Sequence, residues 1–305
     1  MALGILCPGQ GGQNPGMLDI LTAEPAAQAV LDAAADVLGT DLRRLVAGPA
    51  ADLHRNAVAQ PLLCAVQAAT WAALRRDLPP VRAFAGYSLG ELAAYGCAGA
   101  LGVDELLTLA RRRAEAMDRA CHEPNGLLAV RGLTRRRVEE LCRAHRAEIA
   151  IANDLDRLVV GGRRDALAGF ERAVTSMGAG VTALPVSVAS HTSLMASAAE
   201  EFRQLLLDSG IQAPIVPVLA GVDGAAVRTR ERAIATLSRQ ITQTVEWSAC
   251  VEGLVEMGCT VLLELGPCNG LSRMVRDRFP DVSVRSVSEF KSLDGVLDWV
   301  ARYGG

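Results

Sequence analysis

Between residues 122 and 190 the chain spells strand, helix, strand, strand, helix, strand, and no other feature limits its fold as tightly. GLLAVRG (126–132), AEIAIAN (147–153), RLVVGG (157–162) and GVTALPVS (180–187) are short apolar runs bounded by turn residues, which is the pattern of strands. TRRRVEELCRAHR (134–146) and DALAGFERAVTSMG (165–178) carry apolar residues at helical spacing. This β-α-β-β-α-β order predicts a ferredoxin-like unit. On both sides of it strands and helices alternate singly. LGILCPG (3–9), RAFAG (82–86), IVPVLAG (215–221), TVLLELG (260–266) and SVRSVS (283–288) read as strands. Helical periodicity covers 26–38, 60–74, 103–120, 230–240 and 250–257, with a further helix after Pro267. Such alternation predicts an α/β domain built on a parallel sheet. We therefore expect one discontinuous large domain (1–121 and 191–305) interrupted by a small ferredoxin-like domain (122–190).

Composition removes several kinds of chemistry. Of 31 basic residues 30 are arginine, and the only lysine is Lys291, so Schiff-base or P-loop chemistry has no good candidate. The net charge of −3 gives no reason to expect nucleic acid or an anionic membrane as a partner. Eight cysteines contain no C-x-x-C pair and lie at least nine residues apart, which disfavours zinc ribbons and redox pairs; no metal site is expected. The opening MALGILCPGQGGQ lacks a basic region and a long apolar run, and LLCAVQAATWAAL (62–74) is short for a membrane span. The expectation is a cytoplasmic protein with reduced thiols.

The strongest chemical signal is Gly86-Tyr87-Ser88-Leu89-Gly90, a G-x-S-x-G between a predicted strand and helix. Small flanking residues permit the sharp turn that exposes a serine Oγ at a helix N-terminus, where the Leu89 N–H can face a developing oxyanion. The plain alternative is a glycine-rich turn with an incidental serine. Only four histidines exist, and His191, directly after the strand of PVSVASH, is the best placed to act as base; a satisfied structural histidine is the other reading. His54, His122 and His145 lie in polar contexts that read as surface. The loop Pro8-Gly9-Gln10-Gly11-Gly12 lacks the lysine of a P-loop and the spacing of G-x-G-x-x-G; it can bring Gln10 to the same crevice or be a simple turn. Arg111-Arg112-Arg113 cannot all face outward on one helix, so at least one points toward the protein. It would meet either a substrate carboxylate or a salt bridge to Glu91 or Glu115.

Taken together these residues resemble the malonyl-CoA:acyl-carrier-protein transacylases and the related acyltransferase domains of polyketide synthases. PGQGGQ (8–13), AQPLL (59–63), GYSLGE (86–91), Arg113 with Met117, PVSVASH (185–191), Gln240 with Trp247, and ELGP (264–267) follow the family's order across almost the whole chain. The resemblance implies an α/β-hydrolase-like large domain with the ferredoxin-like insert. It implies an acyl-CoA:acyl-carrier-protein S-acyltransferase that moves a malonyl or related group from CoA to a phosphopantetheine thiol through an acyl-serine. Ser88 would be acylated, His191 would be base and then acid, and the Gln240 main-chain carbonyl would orient it. Gln10 and Leu89 would supply oxyanion amides, Arg113 would hold the malonyl carboxylate, and Gln60 would lie nearby. No cofactor is implied, acyl-CoA being a substrate; the expected partners are malonyl-CoA or a related acyl-CoA and an acyl carrier protein, and the protein itself is expected to be a monomer.

Three positions depart from the family pattern: Tyr87 stands where histidine is usual, Cys7 where phenylalanine is usual, and Thr244 where proline is usual. Tyr87 and Cys7 bear on the acyl chain accepted, malonyl being favoured over methylmalonyl. Other functions left open are an esterase or editing thioesterase, a carrier-docking subunit without activity, and the malonyl-loading subunit of a malonate decarboxylase. Carriers are typically acidic, so Arg135–Arg137, Arg163, Arg164, Arg273, Arg276 and Arg278 are candidate docking residues, or else a solvated face.

Overall fold

The computed structural model describes residues 2–49 and 52–304. In chain order its strands are β1 (Ala2–Cys7), β2 (Val81–Gly86), β3 (Asn125–Arg131), β4 (Glu148–Ala152), β5 (Arg157–Arg163), β6 (Gly180–Ala183), β7 (Val218–Leu219), β8 (Ala226–Val227), β9 (Cys259–Glu264) and β10 (Ser283–Ser286). Six of them form the large sheet in the order β10-β9-β1-β2-β7-β8, parallel except for the β7–β8 edge pair. Both faces of this sheet are covered by helices, so β1, β2 and β9 are buried runs rather than alternating ones. β1 lies between β2 and β9, which puts the loops leaving all three on one edge, the usual site of ligand binding in such a sheet.

The other four strands form an antiparallel sheet in the order β4-β5-β3-β6, the ferredoxin-like arrangement. Alternation along the strands divides its residues between two cores. Leu128, Val130, Leu158 and Val160 pack on the helices Arg135–His145 and Arg164–Ser176, which present Val138, Leu141, Leu167, Phe170 and Val174 at helical spacing. Leu127, Ile151 and Val159 face the other way and join Trp247, Leu262 and Leu271 of the large domain. The small sheet is thus fastened to the large one by its own second face. None of the eight cysteines is in a disulfide.

Several expected elements are shorter than the apolar runs that announced them. β6 ends at Ala183 because Pro185 has no N–H for the ladder, and Pro217 likewise leaves only two residues to β7. β10 stops at Ser286, whose hydroxyl caps the turn Val287–Glu289. Two elements are additional to those expected: the antiparallel edge strand β8, and the helix Leu293–Gly304, whose Leu293, Val296, Leu297 and Val300 stand at helical spacing against the core. The helix expected from Gln60 begins at Asn56 and runs 19 residues to Leu74, long and apolar enough by length and composition to span a membrane. Here it is a core helix, packed against the helices Pro25–Leu38 and Val103–Ala120, with Gln60, Gln67 and Thr70 buried along it.

Candidate active site

β2 runs straight into the helix Leu89–Cys97 through Tyr87 and Ser88. The turn is tight enough that a Cβ on Gly90 would lie 1.9 Å from the Cys7 carbonyl oxygen, and one on Gly86 2.1 Å from the Glu91 nitrogen. Only glycine fits at either position. Ser88 itself takes φ 55° and ψ −117°, a conformation costly for a residue with a Cβ. Among the described residues three non-glycines have positive φ, and two of them are Ser88 and His191 (φ 64°). Strain of this kind persists only where the surroundings over-determine it.

Those surroundings are visible. The Asn125 Oδ1 accepts from the Ala189 N–H at 2.7 Å, and the Ile241 carbonyl accepts from the His191 N–H at 2.8 Å. The imidazole is buried, with Nε2 2.7 Å from Ser88 Oγ and Nδ1 2.6 Å from the Gln240 carbonyl. A carbonyl can only accept, so Nδ1 carries the proton and Nε2 presents its lone pair to the serine hydroxyl. Burial pulls the imidazole down to about 3, with the Gln240 carbonyl opposing the shift and the Arg113 charge adding to it. The ring is therefore neutral and able to take a proton across the whole physiological range. The remaining histidines are elsewhere: His54 and His122 are exposed, and His145 sits at the edge of Phe170.

A cavity of about 460 Å³ opens onto this pair. Gln10 and the loop after β1 line it beside Ser88 and His191; Leu127, Ile151, Val159 and Leu184 of the small sheet form the facing wall. As the first residue of its helix Leu89 has an N–H without an intrahelical acceptor, and that group points with the helix N-terminus. Tyr87 lines the cavity too, its ring packed edge-on against Trp247 with centroids 5.4 Å apart.

Arg113 lies behind the serine and histidine rather than in the cavity wall, and only 2% of it is exposed. Its Nη1 donates to Gln60 Oε1 at 2.8 Å and its Nη2 to Gln240 Oε1 at 3.3 Å. Both acceptors are neutral. The salt bridge to Glu115 that the sequence left open belongs to Arg111 and Arg112, at 3.9 and 3.4 Å, and Arg113 makes no direct ion pair among the described residues. Burial lowers the Arg113 guanidinium to about 10, still well above neutrality, so a buried cation without a touching anion stands one side chain away from the serine. Gln240 spans that gap: its amide nitrogen donates to the Ser88 carbonyl at 2.8 Å while its oxygen accepts from Arg113.

Two residues not among the expected site residues, Asn125 and Glu264, also act here. Asn125 holds the segment before His191, and Glu264 accepts from the Leu271 and Ser272 N–H groups and the Ser272 hydroxyl, fixing the helix Gly270–Arg278 against the cavity. Glu264 lay in the ELGP motif, whereas nothing local marks Asn125, whose partner is 64 residues away. Among the described residues no group of three or more histidine, cysteine or acidic side chains could hold a metal.

A strained serine on a strand-to-helix turn, a neutral histidine at hydrogen-bond distance and a free helix N-terminus define a serine-dependent acyl-transfer site. The chain belongs to the acyl transferase domain family, whose model matches residues 5–293. A malonyl CoA-acyl carrier protein transacylase of Haemophilus influenzae is 33% identical over 304 residues, covering 95% of this chain and 97% of the relative. One from Mycobacterium bovis is 32% identical, covering 96% and 98%. Among solved structures, the malonyl CoA-acyl carrier protein transacylase of Coxiella burnetii superposes with a TM-score of 0.94 at 28% identity, covering 100% of this chain and 98% of that one. A malonyl-transacylase in complex with its type II polyketide synthase acyl-carrier protein gives 0.93 at 30% identity, covering 98% and 99%.

Proposed function

We propose that the protein transfers malonyl groups from malonyl-CoA to the phosphopantetheine thiol of an acyl carrier protein, through an acyl ester on Ser88. The observation that carries this is the Ser88–His191–Gln240 chain of hydrogen bonds with the unpaired, buried Arg113 behind it. In the first half-reaction His191 Nε2 takes the hydroxyl proton as Ser88 Oγ attacks the thioester carbonyl. The oxyanion of the tetrahedral intermediate is met by the N–H groups of Leu89 and Gln10. The intermediate collapses, the C–S bond breaks, and the proton passes from the imidazolium to the CoA sulfur. The second half-reaction repeats these steps with the carrier thiol as nucleophile, its proton going to Nε2 and then back to Ser88 Oγ.

The partner of Nδ1 is a carbonyl rather than a carboxylate, so the imidazolium is less stabilised and the proton is returned readily to the leaving sulfur. Arg113 would pair with the malonyl carboxylate as a charge-assisted fork and hold the ester where water is poorly placed. Gln60 would keep that fork in plane. Tyr87, backed by Trp247, would bound the space left for a substituent on the acyl chain.

Most of the arginines considered for carrier docking are already paired: Arg135 with Glu246 at 2.8 Å, Arg137 with Glu140 at 2.8 Å, Arg276 with Glu289 at 2.9 Å, and Arg163 and Arg278 with Glu123 and Glu252. Arg273 has no ion pair among the described residues and lines the crevice on the side of Arg131 and Arg157, so an acidic carrier would approach there. The protein would act as a cytoplasmic monomer that needs no cofactor of its own. Incubation with a panel of acyl-CoAs followed by intact-protein mass spectrometry tests the whole reading. A malonyl adduct on Ser88 that discharges to holo-carrier is expected, and immediate release of free malonate would identify a hydrolase instead.

A further inference from the structure

Glu91, the third residue of the helix after Ser88, turns its side chain inward and is wholly buried. It touches neither the cavity nor the serine hydroxyl. Its Oε2 accepts from the Gly221 N–H at 3.0 Å and from Gln240 Nε2 at 2.8 Å, and its Oε1 has no hydrogen-bond partner. Burying a carboxylate on so few donors is costly, and an apolar residue of similar volume would cost less.

The geometry around Gln240 explains what this carboxylate accomplishes. An amide nitrogen has two hydrogens, and Gln240 places one on the Ser88 carbonyl and the other on Glu91, while its oxygen accepts from Arg113. Rotated by half a turn, the same amide would set N–H against guanidinium and oxygen against both carboxylate and carbonyl. All three contacts would become repulsive. Glu91 thereby selects the one orientation that offers Arg113 an acceptor. The interposed amide also keeps carboxylate and guanidinium apart, and a direct pair would consume the fork that an incoming carboxylate must use.

We propose that Glu91 is a positioning residue for acyl-group selection, fixing the Gln240 amide so that Arg113 is held in place yet left free for the carboxylate of the acyl group. This rests on the assignment of Arg113 to the malonyl carboxylate. The test is the rate of Ser88 acylation by malonyl-CoA and by acetyl-CoA, read by rapid quench and intact-protein mass spectrometry. Glu91→Gln keeps an acceptor oxygen at the Oε2 position and places its NH₂ where Oε1 is unpartnered, so the malonyl-to-acetyl preference stays within about 3-fold of wild type. Glu91→Asp withdraws the acceptor by one methylene and lowers the preference by about 10-fold or more, through malonyl acylation alone. Glu91→Ala shows the same selective loss. In an Arg113→Ala background neither truncation changes the preference further.

An unchanged preference in both truncated variants, an equal loss for the two acyl groups, or a further loss of preference without Arg113 would each overturn the proposal. If Arg113→Ala alone retains the malonyl preference, the carboxylate assignment fails and takes this inference with it. Unchanged Glu91 variants beside a collapsed Arg113→Ala overturn this inference only.

Discussion

The two walls of the crevice are built to different standards. The wall from the large sheet carries Ser88 at positive φ and is backed by a buried cation, Arg113, and by the polar side chains of Gln60, Glu91 and Gln240, each nearly or wholly excluded from solvent. The wall from the small sheet is Leu127, Ile151, Val159 and Leu184, apolar residues on ordinary strands or just beyond them. One wall spends stability on geometry and the other supplies shape. The difference teaches where substitutions should be felt: discretely and through named atoms on the first wall, gradually and through lost contact area on the second.

The sharpest break in that comparison is Ser88→Ala, which removes the hydroxyl proposed to carry the acyl group. Transfer should fall by about 10⁴-fold or more, with no adduct in the intact-protein spectrum; an adduct elsewhere of equal yield would displace Ser88 from its role. Next is the energetic cost of the polar wall. Burial raises Glu91 from 4.5 to about 7, so the folded state holds this proton more tightly than the unfolded chain. That contribution is intact below pH 4.5 and is lost as pH rises through about 7. Glu91→Gln should therefore raise stability at pH 8, by up to about 3 kcal/mol, and do little at pH 4. Equal shifts in denaturation midpoint at both pH values would contradict the buried carboxylate.

Arg113→Ala should cost about 10- to 100-fold in malonyl acylation and little in acetyl acylation, the range expected for a lost charge-assisted hydrogen bond. Equal losses for both acyl-CoAs would remove the carboxylate from that position. The smallest effect belongs to the apolar wall. Leu184→Ala, at a half-buried position, should raise the KM for carrier and CoA substrates by a few fold, about what some tens of Å² of lost apolar contact are worth, and leave kcat unchanged. A fall in kcat would mean that the small sheet enters the chemistry.

The two walls also differ in how far they could be read from the residues. G-x-S-x-G exposed Ser88 because the motif's requirement is local: a strand, a helix and two positions where no Cβ fits. His191 stood out by scarcity; the strand expected directly before it ends at Ala183, eight residues earlier. The Arg111–Arg113 run showed that one guanidinium must point inward, and the family resemblance pointed to Arg113 with Gln60 nearby; packing of the helix Val103–Ala120 against Asn56–Leu74 brings the two into a hydrogen bond. Glu91 was visible as a salt-bridge option and as the end of GYSLGE, with no role attached to it, since an acidic residue in a first helical turn is ordinary. Asn125 was invisible, because its single relevant partner is the backbone of residue 189.

What the sequence by itself determined is the class of fold and the order of its parts: periodicity separates single strand-helix alternation from β-α-β-β-α-β, and both sheets follow. It also narrowed the general base to four histidines and marked Ser88 among many serines by the turn motif that holds it. Tertiary structure alone decided the distances. Ser88 and His191 are 103 residues apart and meet at 2.7 Å, and Gln240 joins them from a third segment through its carbonyl and its amide. The physical reason is that hydrogen bonds depend on tenths of an ångström and on orientation. Hydrophobic periodicity fixes only which face of each element is buried.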